Sequence, residues 1–461
     1  MRAAALGLVA ASVMAACTLI PRYERPALPV PSEFPRPSAE PSQGAAAAET
    51  GWRTFIAEPR LARLVEVALD ANRDLRVAAL RVEQSRAQYR IARSALFPSL
   101  DVQASYTRQG IANGIDGAVE TTTSASVSAA STAYELDFFG RVRSSKEQAL
   151  QQYLETEEAR RSAQISLVAE VATQYFVLRE AEEELVLARQ TLDLVRESYR
   201  LNAVSFDVGQ IDALDLRTAE AQVRNAEVNV LTYERVTAQA TNQLVLLVGT
   251  ELPSDLPPPS EFGANVLAAV PAGLPADLIE RRPDILEAEH ALLAANANIG
   301  VARAAFFPSI SLTGSVGRVS DQLGTLFSNG SRIWSFVPQL TLPLFNAGSN
   351  RANLDAARVA DQIEVANYEH AIQTAFREVA DALVAGDSYT LAVTAEEAVI
   401  EAQTQRLTLA TARYRQGEDS YLTVLSAQQD LYSAQQARLN AQLNQVSSQI
   451  ELYRALGGGW Q

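Results

Sequence analysis

The sequence predicts an α+β membrane protein in which a barrel of long coiled-coil α-helices continues into transmembrane β-strands, four to a chain, with the whole plan occurring twice. Three observations predict it. The segment IARSALFPSLDV at Ile91 returns as VARAAFFPSISL at Val301, about 210 residues later. Each copy is the end of a helical pattern, a Phe-Pro-Ser break and an alternating strand, so the architecture is duplicated. The segments after each break alternate with period two over the roughly 10 residues that a tilted membrane strand needs. Most of the remaining chain carries heptad seams without proline or glycine.

Composition sets the bounds. Of 461 residues, only 2 are His, 1 is Cys, 2 are Met and 3 are Trp. That usage suits long helices with small-residue seams. The net charge of −15 argues against nucleic acid as a partner, because phosphates demand a basic face. The acidity is either a solvated surface or a lumen that attracts cations.

Residues 1–16 are expected to be a signal peptide: Arg2, an apolar stretch to about Val13, then the small residues Ala15 and Ala16. Met14-Ala15-Ala16-Cys17 has the form of a bacterial lipobox, with Met where Leu is usual. Cys17 is the only cysteine in the chain and has no disulfide partner. It is therefore the expected lipidation site, and that covalent lipid is the only cofactor expected. Residues 17–50 form a Pro-rich linker (Pro21, Pro26, Pro29, Pro31, Pro35, Pro37 and Pro41), too rich in proline for a regular helix. No later segment approaches 18 consecutive apolar residues, so any membrane crossing must use strands.

The first repeat is placed at 51–250. A helical pattern runs from Trp52 to about Leu96, broken at Pro59 and stopped by Phe97-Pro98. In SLDVQASYTR, Leu100, Val102, Ala104 and Tyr106 alternate with Asp101, Gln103, Ser105 and Thr107, which predicts a strand. A loop holding Gly110, Gly114 and Gly117 follows. The next strand is expected from about Thr122 to Phe138, with a parity shift near Ala130 that suggests a bulge. From Arg143 to Asn202 there is neither Pro nor Gly. Leu178, Leu185, Leu192 and Tyr199 recur every seven residues, with Ala181, Ala188 and Val195 between them. Sixty residues of such a helix would reach roughly 90 Å. Gly209 breaks the run. A partner helix from Asp212 to Val248 repeats the seam with Leu216, Val223 and Val230 and with Ala219, Ala226 and Ala240.

A Pro-rich connector, 251–275, leads to the second repeat at 276–461. A helix is expected from Pro283 to Ala305, then a strand in which Ile310, Leu312 and Val316 share a face. A loop with Gly324, Asn329 and Gly330 precedes a segment with Trp334, Phe336, Leu340 and Leu342 on one face. Pro338 and Pro343 count against that last strand. A long helix from Gly348 to Arg415, interrupted at Gly386, turns at Gly417 into a final helix ending at Leu456. The tips also correspond, Gly209 with Gly417, Leu214 with Leu422 and Ala219 with Ala427. Four strands cannot close a barrel, since about eight are the observed minimum. Either they are soluble hairpins or several chains share one barrel.

Catalysis is not expected. His290 and His370 lie within helical patterns, and no metal-spaced cluster, phosphate loop or nucleophile motif occurs. No catalytic or metal-binding residue is assigned.

Five motifs stand out: the lipobox at Cys17, Trp52-Arg53-Thr54-Phe55 with Pro59 and Leu61, Asp74-Leu75, the stretch from Leu278 to Gly314 containing Arg281-Arg282-Pro283-Asp284, and the ending Ala455 to Trp460. Together they closely resemble the outer-membrane efflux factor family, TolC-like, in its lipoprotein branch serving resistance–nodulation–division pumps. The resemblance implies a homotrimer with one 12-stranded barrel, lipid-anchored in the bacterial outer membrane and extending into the periplasm. It implies no chemistry. Cargo would pass through a duct joined to a periplasmic adaptor (membrane fusion) protein and an inner-membrane resistance–nodulation–division transporter. In the family, the tunnel closes near the second hairpin tip, with the pattern Tyr-x-x-Gly followed by Leu-x-x-x-Asp-x-x-Arg. Here Tyr414, Gly417 and Leu422 match, but Ser426 and Gln429 stand at the Asp and Arg positions. A carboxylate ring would then be lost or moved to Asp430. The expected gate is a constriction at Leu422 with hydroxyl and amide groups, held by polar contacts among Tyr414, Asp419 and the first tip. Asp207, Gly209, Gln210 and Gly417 are the expected adaptor contacts, as exposed turn residues on a rigid scaffold. A protein-secretion channel of type I and a lipid-anchored coiled-coil adaptor are the alternatives. An adaptor has one helical hairpin, and this chain has two.

Overall fold

A computed structural model describes residues 18–34, 50–112, 119–264, 266–270, 278–279 and 281–460. Cys17, linker residues 35–49, Gly114 and Gly117 lie outside them. In order, the elements are α1 (Trp52–Phe55), α2 (Pro59–Ala71), α3 (Arg73–Ser94), β1 (Asp101–Ala112), β2 (Val119–Glu135), α4 (Arg141–Asp207) and α5 (Ala213–Val248). Then come α6 (Pro283–Ala304), β3 (Ser309–Ser320), β4 (Arg332–Thr341), α7 (Ser349–Arg415) and α8 (Tyr421–Ala455). Helix, two strands and a long helical hairpin thus occur twice in the same order.

The chain divides into two compact units. The first unit comprises residues 1–27, 81–157 and 287–369 and holds the sheet, a meander in the order β1-β2-β3-β4. The helices enter and leave at one end: Asp101 pairs with Ala130, Glu135 with Ser311, and Ser309 with Thr341. Register separates two faces, because residues directly opposite share a side. Val102 lies opposite Ala129, Ala104 opposite Val127, Val316 opposite Trp334 and Ile310 opposite Leu340, all on one apolar face. On the other face the Ser105 and Ser126 hydroxyls meet at 2.8 Å, and Ser315 and Ser335 at 2.7 Å.

The parity shift near Ala130 is a bulge. Ser131 pairs with Gly314 and Tyr134 with Leu312, so β2 carries one extra residue. Ala133 has a positive φ of 54°, and its N–H donates to Thr313 Oγ1 at 3.0 Å. The bulge returns Tyr134 to the apolar side. Two strand expectations need correction. Gly110 lies within β1, opposite Thr121, and Val119 of β2 covers the space a Cβ would take. The second strand ends at Glu135, not Phe138, because Asp137 turns away to accept the Arg143 N–H at 2.8 Å. The fourth expected strand is present, with Pro338 opposite Leu312 within β4.

The second unit comprises residues 28–80, 158–286 and 370–461. Part of its core is the seam between α4 and α5. Leu178, Ala181, Ala188, Leu192 and Val195 of α4 are buried, as are Ala219, Val223, Ala226 and Ala240 of α5. The alanines let the helices approach closely, as the heptad spacing predicts. The expected helix from Trp52 has a further break at Asn72. Its Oδ1 caps α3 by accepting the Leu75 N–H at 2.9 Å, while Nδ2 donates to the Leu247 carbonyl at 2.8 Å. Gly386 does not interrupt α7, which runs unbroken from Ser349 to Arg415. A single interior glycine costs only about 1 kcal/mol, too little to stop so long a helix.

Candidate functional site

The site assembles at the two hairpin tips, α4–α5 and α7–α8, both in the second unit. Each first helix ends the same way. Gly209 N–H donates to the Phe206 carbonyl at 2.9 Å, and Gln210 N–H to Ser205 at 2.8 Å. Gly417 N–H donates to Tyr414 at 2.9 Å, and Glu418 N–H to Arg413 at 3.0 Å. These are paired Schellman stops, and they need a residue with positive φ. Gly209 and Gly417 supply 76° and 77°. Asp212 caps α5 by accepting the Leu214 and Asp215 N–H groups at 2.9 and 3.0 Å. Ser420, its counterpart, makes no such side-chain bond.

A small core ties the tips together: Ala219, Ala410, Tyr421, Val424 and Ala427, with Tyr199, Leu407 and Tyr414 against it. Tyr414 donates its hydroxyl to Oδ1 of the buried Asn202 at 3.1 Å, joining second tip to first. Burial raises the pKa of both Tyr414 and Tyr421, assisted by the Asp215 charge and by Tyr414 respectively. Both phenols therefore stay neutral. A cavity of about 620 Å³ lies between the tips, lined among others by Asn202, Gln210, Tyr414, Gly417 and Asp419.

The expected gate residues fall into three settings. Asp419 is held by Arg413 of its own hairpin, Nε to Oδ2 at 2.6 Å, and not by the first tip. Leu422 is 66% exposed, and Gln429 is exposed. Ser426 and Asp430 share one partner, Arg406. Its Nη2 donates to Ser426 Oγ at 3.2 Å and its Nη1 pairs with Asp430. Asp207, the remaining adaptor candidate, is exposed. Sequence reasoning missed Asn202 and Arg406. Asn202 was findable, since it sits three residues after Tyr199 on the α4 seam. It also missed the exposed apolar collar Val204, Phe206, Val208 and Leu214, whose signal is an SFDV run in a turn.

Higher on the same helices an acid pair is enclosed. Glu184, 3% exposed, accepts from Gln436 Nε2 at 3.1 Å. Burial first, then the Glu184 charge one turn away, push Glu180 up to about 7. That folded value stands above the ordinary 4.5, so the stability held by protonated Glu180 is full below about 4.5 and lost as pH rises through about 7. The melting temperature of the purified protein is expected to fall across that window and to flatten in Glu180→Gln. Identical pH profiles for both proteins would refute the assignment.

Among the described residues no group of three His, Cys, Asp or Glu side chains could hold a metal ion. His290 Nδ1 lies 2.7 Å from Gln151 Oε1.

Comparisons with known proteins agree with one another. The family model described as "Outer membrane efflux protein" matches residues 64–250 and 274–458. The chain is 48% identical to "Probable efflux pump outer membrane protein TtgC" of Pseudomonas putida, over 98% of this chain and 94% of that protein. It is 44% identical to "Outer membrane protein OprJ" of Pseudomonas aeruginosa, over 98% and 95%. Among solved structures, the open state of the Neisseria gonorrhoeae MtrE outer membrane channel superposes with a TM-score of 0.89 at 40% identity, covering 96% of this chain and 99% of that one. A helix–strand–strand–hairpin plan found twice, and a family match in both halves, place this chain in the outer membrane efflux protein family.

Proposed function

We propose that three copies of this chain form an outer-membrane channel, the exit duct of a tripartite efflux pump. It passes drugs or other small molecules to the exterior and performs no chemistry. The two-faced open sheet carries this reading. Among the described strands, β1 and β4 each have one unpaired edge. An exposed edge beside a broad apolar face aggregates unless other strands cover it. Four strands are too few to close, whereas three copies supply twelve. The apolar face then meets lipid and the serine-rich face lines the pore. Arg318 and Arg332 lie opposite each other at the loop end of the sheet, where charged groups reach water again. Relatives named as efflux pump outer membrane proteins support the transport role.

Cleavage before Cys17 and lipidation there add a second anchor to the barrel. The periplasmic adaptor meets the tips around Asp207, Gly209, Gln210 and Gly417, and a resistance–nodulation–division transporter feeds the duct. Mass in detergent, measured beside single-channel recording in planar bilayers, tests the proposal. A conducting unit of three chains is expected; a monomer that never conducts would overturn it.

The same recordings test the gate. Leu422 forms an apolar constriction, and Arg406 neutralises Asp430 beside it. Leu422→Ala is expected to raise closed-state conductance several-fold. Arg406→Ala, by freeing Asp430, is expected to increase cation preference. Unchanged conductance and selectivity in both would remove these residues from the gate.

A further inference from the structure

Where the second repeat enters and leaves the sheet, the chain builds a cationic pocket over an apolar floor. Arg303 lies in the last turn of α6, followed by Phe306 and Phe307, and β3 begins at Ser309. On α7, Arg351, Leu354, Asp355 and Arg358 recur at the spacing of one helix face. Together with Leu19 they line a cavity of about 560 Å³. Arg303 Nη1 donates to the Leu19 carbonyl at 3.1 Å, which aims this guanidinium along the wall. Arg351 and Arg358 are 83% and 52% exposed. They reach Asp355 only at 3.8 and 3.5 Å, so most of their N–H donors are free for another acceptor. Three guanidinium groups against one carboxylate make a positive site in a chain whose net charge is −15. Both Phe306 and Phe307 remain partly open to solvent.

We propose that this pocket binds a glycerophospholipid, its phosphodiester held by Arg351 and Arg358 and the first part of an acyl chain lying on Phe306, Phe307 and Leu354. The inference rests on the strands crossing the membrane, which puts the pocket at headgroup level. Planar guanidinium forks match phosphate oxygens, and basic pockets at the membrane edge of helices hold lipid headgroups. A free phosphate would use the rim and leave the aromatic floor wet. A lipid satisfies both. Leu19 stands two residues from Cys17, so the bound lipid and the proposed covalent one would enter the same leaflet side by side.

Native mass spectrometry of the full-length protein in detergent tests this with three probes and a double variant. These are phosphatidylglycerol, a diacylglycerol with the same chains, inorganic phosphate as competitor, and the Arg351→Ala/Arg358→Ala double variant. Both arginines are exposed, so folding is not at stake. The protein is expected to retain phosphatidylglycerol and not diacylglycerol. The double variant is expected to bind it about tenfold to thirtyfold more weakly, at about 1 kcal/mol per surface arginine, while Arg235→Ala on α5 behaves as wild type. Equal retention of diacylglycerol, equal binding by the double variant, or displacement by inorganic phosphate would overturn the proposal. Conductance of the double variant separates this from the channel itself. Lost lipid with intact conductance supports the site, and a wild type that binds lipid but never conducts fails only the channel reading.

Discussion

Phe336→Arg is expected to abolish recovery of the assembled protein from the outer membrane, while the same substitution one residue earlier, Ser335→Arg, leaves assembly intact. The contrast follows from register alone. Phe336 pairs with Gly314 on the face that carries Trp334, Leu340, Val316 and Val102. Ser335 pairs with Ser315 on the face where hydroxyls bond across strands. Both residues lie midway along β4, so depth in the bilayer is the same. An arginine on the lipid side near the midplane costs about 2–4 kcal/mol. Three copies in one barrel would cost about 6–12 kcal/mol, comparable with the whole stability of an ordinary domain. On the lumen side the charge stays in water and tunes ion selectivity instead. The check is an unheated gel of outer-membrane fractions, followed by reversal-potential measurements on Ser335→Arg channels. Equal recovery of both variants would mean that the apolar face does not meet lipid.

Much of the fold was legible because its determinants are local. Period-two alternation after Phe-Pro-Ser located β1 and β3, and the alanine heptads located the α4–α5 seam, from residues within a few turns of each other. What failed depended on distant neighbours. Gly110 reads as a loop residue until Val119 is placed beside it in the paired strand. Gly386 reads as a stop because local rules weigh the glycine and not the length of helix on either side. At the tips, the turn glycines and Tyr414 were readable as a repeated motif. Asn202 is 212 residues from Tyr414, and Arg406 is 24 residues from Asp430, so no local pattern pairs them. The departure from the family pattern at Ser426 was visible, but the cation that now governs Asp430 was not.

The second large effect is expected at Arg282, inside the most specific motif of the sequence. Its side chain is 5% exposed and holds three segments of the second unit at once. Nε donates to Asp284 Oδ1 at 2.8 Å, Nη2 to Glu378 Oε2 at 2.9 Å, and Nη1 to the Ala455 carbonyl at 2.8 Å, where α8 ends. Burial alone would lower its pKa, but the Asp284 and Glu378 carboxylates outweigh that and raise it, so the guanidinium stays charged. Arg282→Ala leaves the Ala455 carbonyl without its donor and leaves Glu378 with Arg454 alone, at 3.2 Å. Breaking a buried pair from one side costs about 3–5 kcal/mol per chain. Arg282→Lys keeps the charge but cannot reproduce the fork, so it should fall between. Arg377 pairs with Asp381 at 3.6 Å with both side chains about two-thirds exposed, and Arg377→Ala is expected to change little. Because a membrane assembly unfolds irreversibly, the measurement is the rate of loss of the assembled species at fixed temperature. With the Arg282 contacts already broken in the unfolding transition state, Arg282→Ala should lose it on the order of a hundredfold faster or more. A rate matching Arg377→Ala would mean that the motif serves something other than stability.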